Sequence, residues 1–416
     1  MSRDENGWAA TWTASPQMPG AGFEPNWSEA GFADQTVRQT VRLSIGGDAL
    51  RIRLSNRYGT TPLRVAGLSV ALPVGMGGAG VKPETVHAVT VGGDSGFVIP
   101  AGGDVSTDGV ALGTEAFDAV TVTMYLAEPS GPATCHAQAL ATSHRASGDR
   151  RADDDGATFT ETSGSWYFLS GIHVADEREG ATDYDHGLDH DHDHDHDIDI
   201  DIDIDIDHGI VVLGDSLTDG TGGTPDTDQR FTNLLARRLA AAGRPRAVLN
   251  QGIGGNRVTI DSAWLGERAP VRLGLDVLPQ PGVGTVVILA GINDIGISEL
   301  AGDSPFPVLE PYTEVTAEEV ITGYRDMIRR AHAAGLRAVG ATLLPIRGSA
   351  YSTPRSEAER ETINAWIRES REYDAVIDLA RAMGDTLDPA HDSGDHLHLS
   401  DAGYRAMAAA VDLSLL

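Results

Sequence analysis

The sequence predicts two joined architectures, an all-β sandwich or jelly-roll-like domain followed by a three-layer α/β domain with a parallel sheet. Three observations predict it. Apolar and polar residues alternate at period two through roughly the first 176 residues, short apolar runs ending in glycine take over from residue 209, and a tract of Asp alternating with His and then Ile separates them. The predicted boundaries are 1–180 for the β-rich domain, 181–208 for an acidic linker and 209–416 for the α/β domain.

In the first part "TVRLSI", "ALRIRLSN" and "AVTVTMYLA" carry the alternation of half-buried strands. In the second of these Leu50, Ile52 and Leu54 face one way and Arg51, Arg53 and Ser55 the other. Turn clusters such as "GGD" and "NRYGTTP" punctuate the strands, and no long helical period intrudes. Short strands with frequent Gly and Pro turns point to a sandwich or jelly roll. Trp8, Trp12, Trp166 and Tyr167 lie in this part; packing is the expectation for them, with a sugar-stacking platform as the alternative.

After residue 209 the apolar runs "GIVVLGDS", "RAVLNQGIGG", "TVVILAGIND", "LRAVGATLLP" and "AVIDLA" read as buried strands, several of them separated by helices. Thr316 and Glu319 predict a capping box ahead of "VITGYRDMIRRAHAAG", with Gly335 as the stop. Thr353 followed by Pro354 predicts the start of the helix carrying "ERETINAWIRES". Buried strands alternating with helices imply a parallel sheet covered on both faces, with function at the carboxyl ends of its strands.

Composition narrows the function. The net charge is −30, and with the twelve Asp of 183–207 set aside the rest of the chain is still strongly acidic. Such a surface repels nucleic acid and anionic membranes, so neither is expected as a partner. The single cysteine, Cys135, rules out an intrachain disulfide. "MSRDENGWAATW" lacks the pattern of a secretory signal, and no window approaches ~18 uninterrupted apolar residues. The expectation is a cytoplasmic chain, with export left open; nothing in the sequence sets an oligomeric state.

Gly-Asp-Ser occurs three times. Gly93-Asp94-Ser95 and Gly302-Asp303-Ser304 read as ordinary turns, because Gly, Asp and Ser are turn residues. Only Gly214-Asp215-Ser216 follows a buried strand and precedes a helix-forming stretch, which puts a serine beside backbone N–H groups at a helix start. A serine nucleophile needs a base and a carboxylate to orient it. "SGDHLHLSDAGY" offers Asp395 and His398 three apart in one loop, with His391 and His396 as competitors for the base. "NQGIGGN" and "GIND" follow the next two strands, so the N–H groups of Ser216 and Gly255 and the amide of Asn293 are candidate oxyanion donors. Asp215 and Asp294 beside them are expected to hold loops.

In this order, "GDSLTDG", the glycine of "NQGIGGN", "GIND" and "DHLH" resemble the four blocks of the SGNH (or GDSL) esterase and lipase superfamily. The resemblance covers 209–416 and implies a flavodoxin-like α/β/α fold. Carried over residue by residue, it implies Ser216 as nucleophile and first oxyanion donor, Gly255 as the second (Gly254 if the alignment slips by one) and Asn293 as the third. Asp395 and His398 would complete the triad. "LNQGIGGNRV", "AGINDIG" and "SGDHLHLSDAGYRAM" are similar to bacterial arylesterases and acylhydrolases associated with xylan breakdown, in which a β-rich region also precedes the catalytic domain. The implied activity is hydrolysis of short-chain carboxylic esters, on a small-molecule or carbohydrate substrate such as an O-acetylated sugar, with no metal or organic cofactor. A lysophospholipase or thioesterase is the alternative within hydrolases. From another class, the alternative is a carbohydrate- or metal-binding protein with a vestigial hydrolase domain. The Asp/His/Ile tract departs from the family pattern and is expected to be a charged connector, with weak metal affinity or an added edge strand as its other readings.

Overall fold

The computed structural model describes residues 7–176, 209–301 and 309–416. The expectations for the tract 181–208 as linker, metal ligand or edge strand, and for the turn at Gly302-Asp303-Ser304, fall outside the described residues.

Period-two alternation becomes antiparallel sheet. Leu50, Ile52 and Leu54 of the strand Ala49–Ser55 are fully buried, while Arg51 and Arg53 on its other face are half-buried. Ser55 differs from its expected exposure: it is buried, and its Oγ accepts the Arg57 N–H at 3.2 Å. This strand lies in a four-stranded sheet in the order Ala9–Thr13, Leu169–Ala175, Ala49–Ser55, Asp104–Ser106. A six-stranded sheet, built around Gln35–Arg42 and Ala119–Leu126, shares its core through Val37, Val41, Val122, Ile52 and Ile172. Two faces closing on one core make the sandwich. Trp12, Trp166 and Tyr167 are buried in it, Trp12 edge-on to Trp166 with centroids 4.8 Å apart, so packing is their role and no platform forms. Trp8 is half-buried, with the Arg51 guanidinium 4.8 Å above its ring. At the first Gly-Asp-Ser, Val91 and Asp94 pair across Gly92 and Gly93, both at positive φ, which is an ordinary tight turn.

The second half is a five-stranded, all-parallel sheet in the order Val248–Gly252, Gly209–Gly214, Val283–Leu289, Arg337–Ala341, Ala375–Ile377. Successive residues of its second member divide between two layers. Val211 and Leu213 pack with Val320, Tyr324, Met327 and Ile363 of the helices Ala317–Ala333 and Pro354–Glu369. Ile210 and Val212 pack with Phe231, Leu235, Tyr404 and Met407 of Phe231–Ala241 and Asp401–Ala409. Each fully buried aliphatic side chain stabilises by roughly 1.5–3 kcal/mol, so a strand apolar on both faces belongs in the middle layer. The Thr316–Glu319 capping box is present, Gly335 sits at φ +76° just past the helix end, and the Thr353-capped helix begins at Pro354.

The strand order reverses direction on either side of Gly209–Gly214, which opens a crevice at the carboxyl ends. The β-rich half closes on this body. Ala10 is buried in the α/β core and donates its N–H to Pro281 O at 3.1 Å, and Thr13 Oγ1 donates to Asn250 O at 3.0 Å. Arg57 pairs with Asp276 at 2.7 Å, and Tyr58 donates to the Glu267 carboxylate. No helix among the described residues is long and apolar enough to cross a membrane.

Candidate active site

Three loops at the carboxyl ends of adjacent strands, with the loop before the last helix, carry the candidate residues. Gly214 ends the strand Gly209–Gly214, and any side chain there would collide with Thr218 and the Leu289 carbonyl. Asp215 then caps the short helix Ser216–Asp219, its Oδ1 accepting the Leu217 N–H at 3.1 Å. Capping and the following left-handed Gly220 confine the turn to one helical winding, and Ser216 heads it. Burial pushes the Asp215 carboxyl up to about 7, with Asp294 adding to it, against the opposing pull of the Leu217 N–H and the facing His398.

His398 Nε2 lies 2.9 Å from Ser216 Oγ, and its Nδ1 lies 2.5 Å from Asp395 Oδ2. Asp395 Oδ1 accepts the N–H groups of Leu397 and His398 at 3.0 and 2.8 Å, so the loop's own backbone holds the carboxylate. Partial burial alone would raise Asp395. The His398 ring and these N–H groups outweigh that and hold it well below the usual carboxylate range. The two competing histidines have other work. His396 pairs through Nδ1 with Asp392 Oδ2 at 2.6 Å and faces solvent. His391 ties the loop through its backbone, accepting the Ser400 N–H at 2.8 Å.

The glycine loop after Val248–Gly252 separates the two glycine readings. Gly254 spends its N–H on Asp219 Oδ2 at 3.1 Å. Gly255 is left-handed at φ +76°, and a Cβ there would press on Leu265, so its conformation and its packing both require glycine. Asn293, in the first turn of Ile292–Gly296, is buried; its Nδ2 donates to Asn256 O at 3.1 Å and its Oδ1 accepts from Tyr351 Oη at 2.9 Å. Asp294 holds the chain beyond the glycine loop, accepting from Val258 N at 2.8 Å and Thr259 N at 2.9 Å. Burial nevertheless keeps its carboxyl above the ordinary value.

Ser216, His398 and Asp395 therefore meet in one hydrogen-bonded line, with Gly255 and Asn293 on neighbouring loops. Several supporting residues carried no sequence signal. Fully buried Arg272 donates to Gly214 O at 3.0 Å, Asn256 Oδ1 at 2.7 Å and Ser15 Oγ at 2.8 Å, joining the strand Gly209–Gly214, the glycine loop and the β-rich half. Burial, with the facing Asp215, pushes the Tyr351 phenol above its ordinary range, so it keeps the proton it donates to Asn293. Asn256 stands inside "NQGIGGN" and had that much signal; Arg272 and Tyr351 had none. Among the described residues no group of three or more His, Cys, Asp or Glu is placed to hold a metal ion.

Residues 212–406 match the model of the GDSL-like Lipase/Acylhydrolase family. No curated relative matches the chain. Among solved structures, the chain is similar to a lipase/acylhydrolase from Enterococcus faecalis at 22% identity, over 49% of this chain and 92% of that one, with a TM-score of 0.38. It is similar to an acetylxylan esterase from Geobacillus stearothermophilus at 24% identity, over 49% and 91%, TM-score 0.37. A carbohydrate acetylesterase from Sinorhizobium meliloti is similar at 14% identity, over 49% and 95%, TM-score 0.37.

Proposed function

We propose, from the match of residues 212–406 to the GDSL-like Lipase/Acylhydrolase family model, that the protein is a serine esterase acting on short-chain carboxylic esters, with O-acetyl groups on carbohydrate as the natural class. The observation that carries the reading is the contact of Ser216 Oγ with His398 Nε2 at 2.9 Å, continued by His398 Nδ1 to Asp395 at 2.5 Å.

Neutral His398 takes the Ser216 proton on Nε2 as Oγ attacks the ester carbonyl. Nδ1 keeps its hydrogen on Asp395, whose depressed proton affinity leaves it a carboxylate that steadies the imidazolium as it forms. The oxyanion faces the N–H groups of Ser216 and Gly255 and the Asn293 amide; each such donor is typically worth ~10²–10³ in rate. Gly255 is preferred to Gly254 because the N–H of Gly254 is engaged by Asp219. Collapse expels the alcohol, which receives the proton from His398, and leaves an acyl-Ser216. Water then attacks the acyl group with His398 again as base, releasing the acid and restoring the serine.

Ser216→Ala tests this. Expected is a loss of at least ~10³ in kcat on p-nitrophenyl acetate with an unchanged circular-dichroism spectrum. Retained turnover in that variant would overturn the reading. A nitrophenyl-ester series run beside acetylated xylan is expected to favour acetyl over longer chains; preference for long acyl groups would favour the lysophospholipase or thioesterase alternative.

A further inference from the structure

Beside the oxyanion loop lies a cleft of about 350 Å³, walled mainly by the β-rich half. Phe23, Glu24, Gln138, Leu140 and Thr162 line it from that half, and Pro225, nine residues after Ser216, lines it from the other. Its end abuts the catalytic loops. A Cβ at Gly254 would lie 3.2 Å from Gln138 Oε1 and 3.4 Å from Phe23 Cε2. Thr221 Oγ1, two residues past the nucleophile helix, is bonded to Gln138 Oε1 at 2.6 Å. The loop carrying Pro225 is fixed to the same half, because Asp226 accepts from both the N–H and Oγ1 of Thr142 at 2.7 Å and donates its own N–H to Leu140 O at 3.0 Å. A cleft tied at both ends does not have to be ordered when a ligand arrives.

We propose that this cleft is the subsite for the alcohol part of the ester, and that it takes an uncharged, hydroxyl-rich ring such as a pyranose. The inference rests on the serine-esterase reading for what is cleaved and adds which half of the chain selects it. Phe23 is 42% exposed, and among the described residues no other Phe, Tyr or Trp side chain is as open to solvent. Such an exposed aromatic face offers a stacking surface that fits the C–H face of a sugar ring. Around it Gln138, Thr162 and the Glu24 carboxylate offer amide, hydroxyl and acceptor groups suited to sugar hydroxyls. The volume lies at the low end of ligand sites, which run from ~300 to 1,000 Å³. An acyl chain would require a continuous apolar wall, and these polar groups interrupt it. A phosphate-bearing headgroup would meet Glu24 on a chain of net charge −30.

The test compares Phe23→Ala and Gln138→Ala with the parent chain on two acetate esters. One is a mono-O-acetylated pyranoside; the other is ethyl acetate, followed by pH-stat, whose alcohol is too small to span the cleft. The ratio of kcat/KM for the pyranoside to that for ethyl acetate is expected to fall at least tenfold in each variant, chiefly through KM. An unchanged ratio overturns the proposal, including the case in which both substrates lose activity equally. Calorimetric titration of the unacetylated methyl pyranoside into the parent and Phe23→Ala chains reads the cleft without chemistry. Equal affinity for the two chains also overturns it. Were Ser216→Ala to keep its esterase activity, the serine reading would fail while this titration still decided the cleft.

Discussion

His136 of the β-rich half and Asp219 of the helix Ser216–Asp219 form a buried pair, with ring Nε2 3.0 Å from carboxylate Oδ1. The other ring nitrogen, Nδ1, lies 3.0 Å from the Ser15 carbonyl, which can only accept. The ring therefore donates toward Ser15 through Nδ1 and turns Nε2 to Asp219. Because Asp219 Oδ2 also receives the Gly254 N–H, the pair connects the β-rich half to the glycine loop of the site.

Removing one partner strands the other without water. His136→Ala is expected to lower unfolding free energy by ~3–5 kcal/mol in urea titrations. The double variant with Asp219→Asn should cost clearly less than the two single losses together. A loss below ~1 kcal/mol for His136→Ala, or strict additivity, would show that the two halves do not depend on this contact.

Tyr351→Phe removes the hydroxyl that fixes which end of the Asn293 amide faces the candidate oxyanion. Asn293→Ala should reduce kcat ~10²–10³-fold on p-nitrophenyl acetate. Tyr351→Phe should reduce it by about tenfold with KM little changed, since a misturned amide costs only part of one donor. In the Asn293→Ala background the tyrosine change should then add nothing to the loss. An additive effect would mean that Tyr351 acts elsewhere.

Asp215 gives stability a pH dependence of definite sign. Its folded carboxyl titrates at about 7, against 3.8 for the ordinary group, so between those values the folded chain holds a proton that the unfolded chain has released. Its contribution is fully present below roughly pH 4 and is lost as pH rises through 7. Asp215→Asn keeps an oxygen for the Leu217 N–H and does not titrate. The stability of that variant relative to the parent should therefore grow between pH 5 and 8, by on the order of 2–3 kcal/mol. A pH-independent difference in unfolding free energy would contradict the buried, proton-holding carboxyl.

Much of this was legible in the sequence because local chemistry decided it. The alternation of Leu50, Ile52 and Leu54 marked one buried strand face, the Thr316 box and Gly335 bounded a helix, and unbroken runs such as "IVVL" marked a sheet covered on both sides. The match of spacing to motif also picked Gly214-Asp215-Ser216 out of three identical tripeptides, since one alone stands between a buried strand and a helix. The joining of Ser216 to the loop of Asp395 and His398 was expected from family resemblance, and a separation of 182 positions along the chain holds no local signal for it.

Local periodicity, turn chemistry and motif order thus determined the strands, most helix ends and a short set of candidates. Tertiary structure decided which candidates meet. His398 rather than His391 or His396 reaches Ser216, Gly254 surrenders its N–H to Asp219 while Gly255 does not, and Trp12 and Trp166 pack inside instead of forming a platform. It also brought in Arg272, Tyr351 and His136, none of which belongs to a motif. The physical reason is range. Hydrophobic periodicity acts within a few residues, whereas hydrogen-bond partners and burial are set where distant segments meet, and buried polar groups accept only the partners that packing delivers.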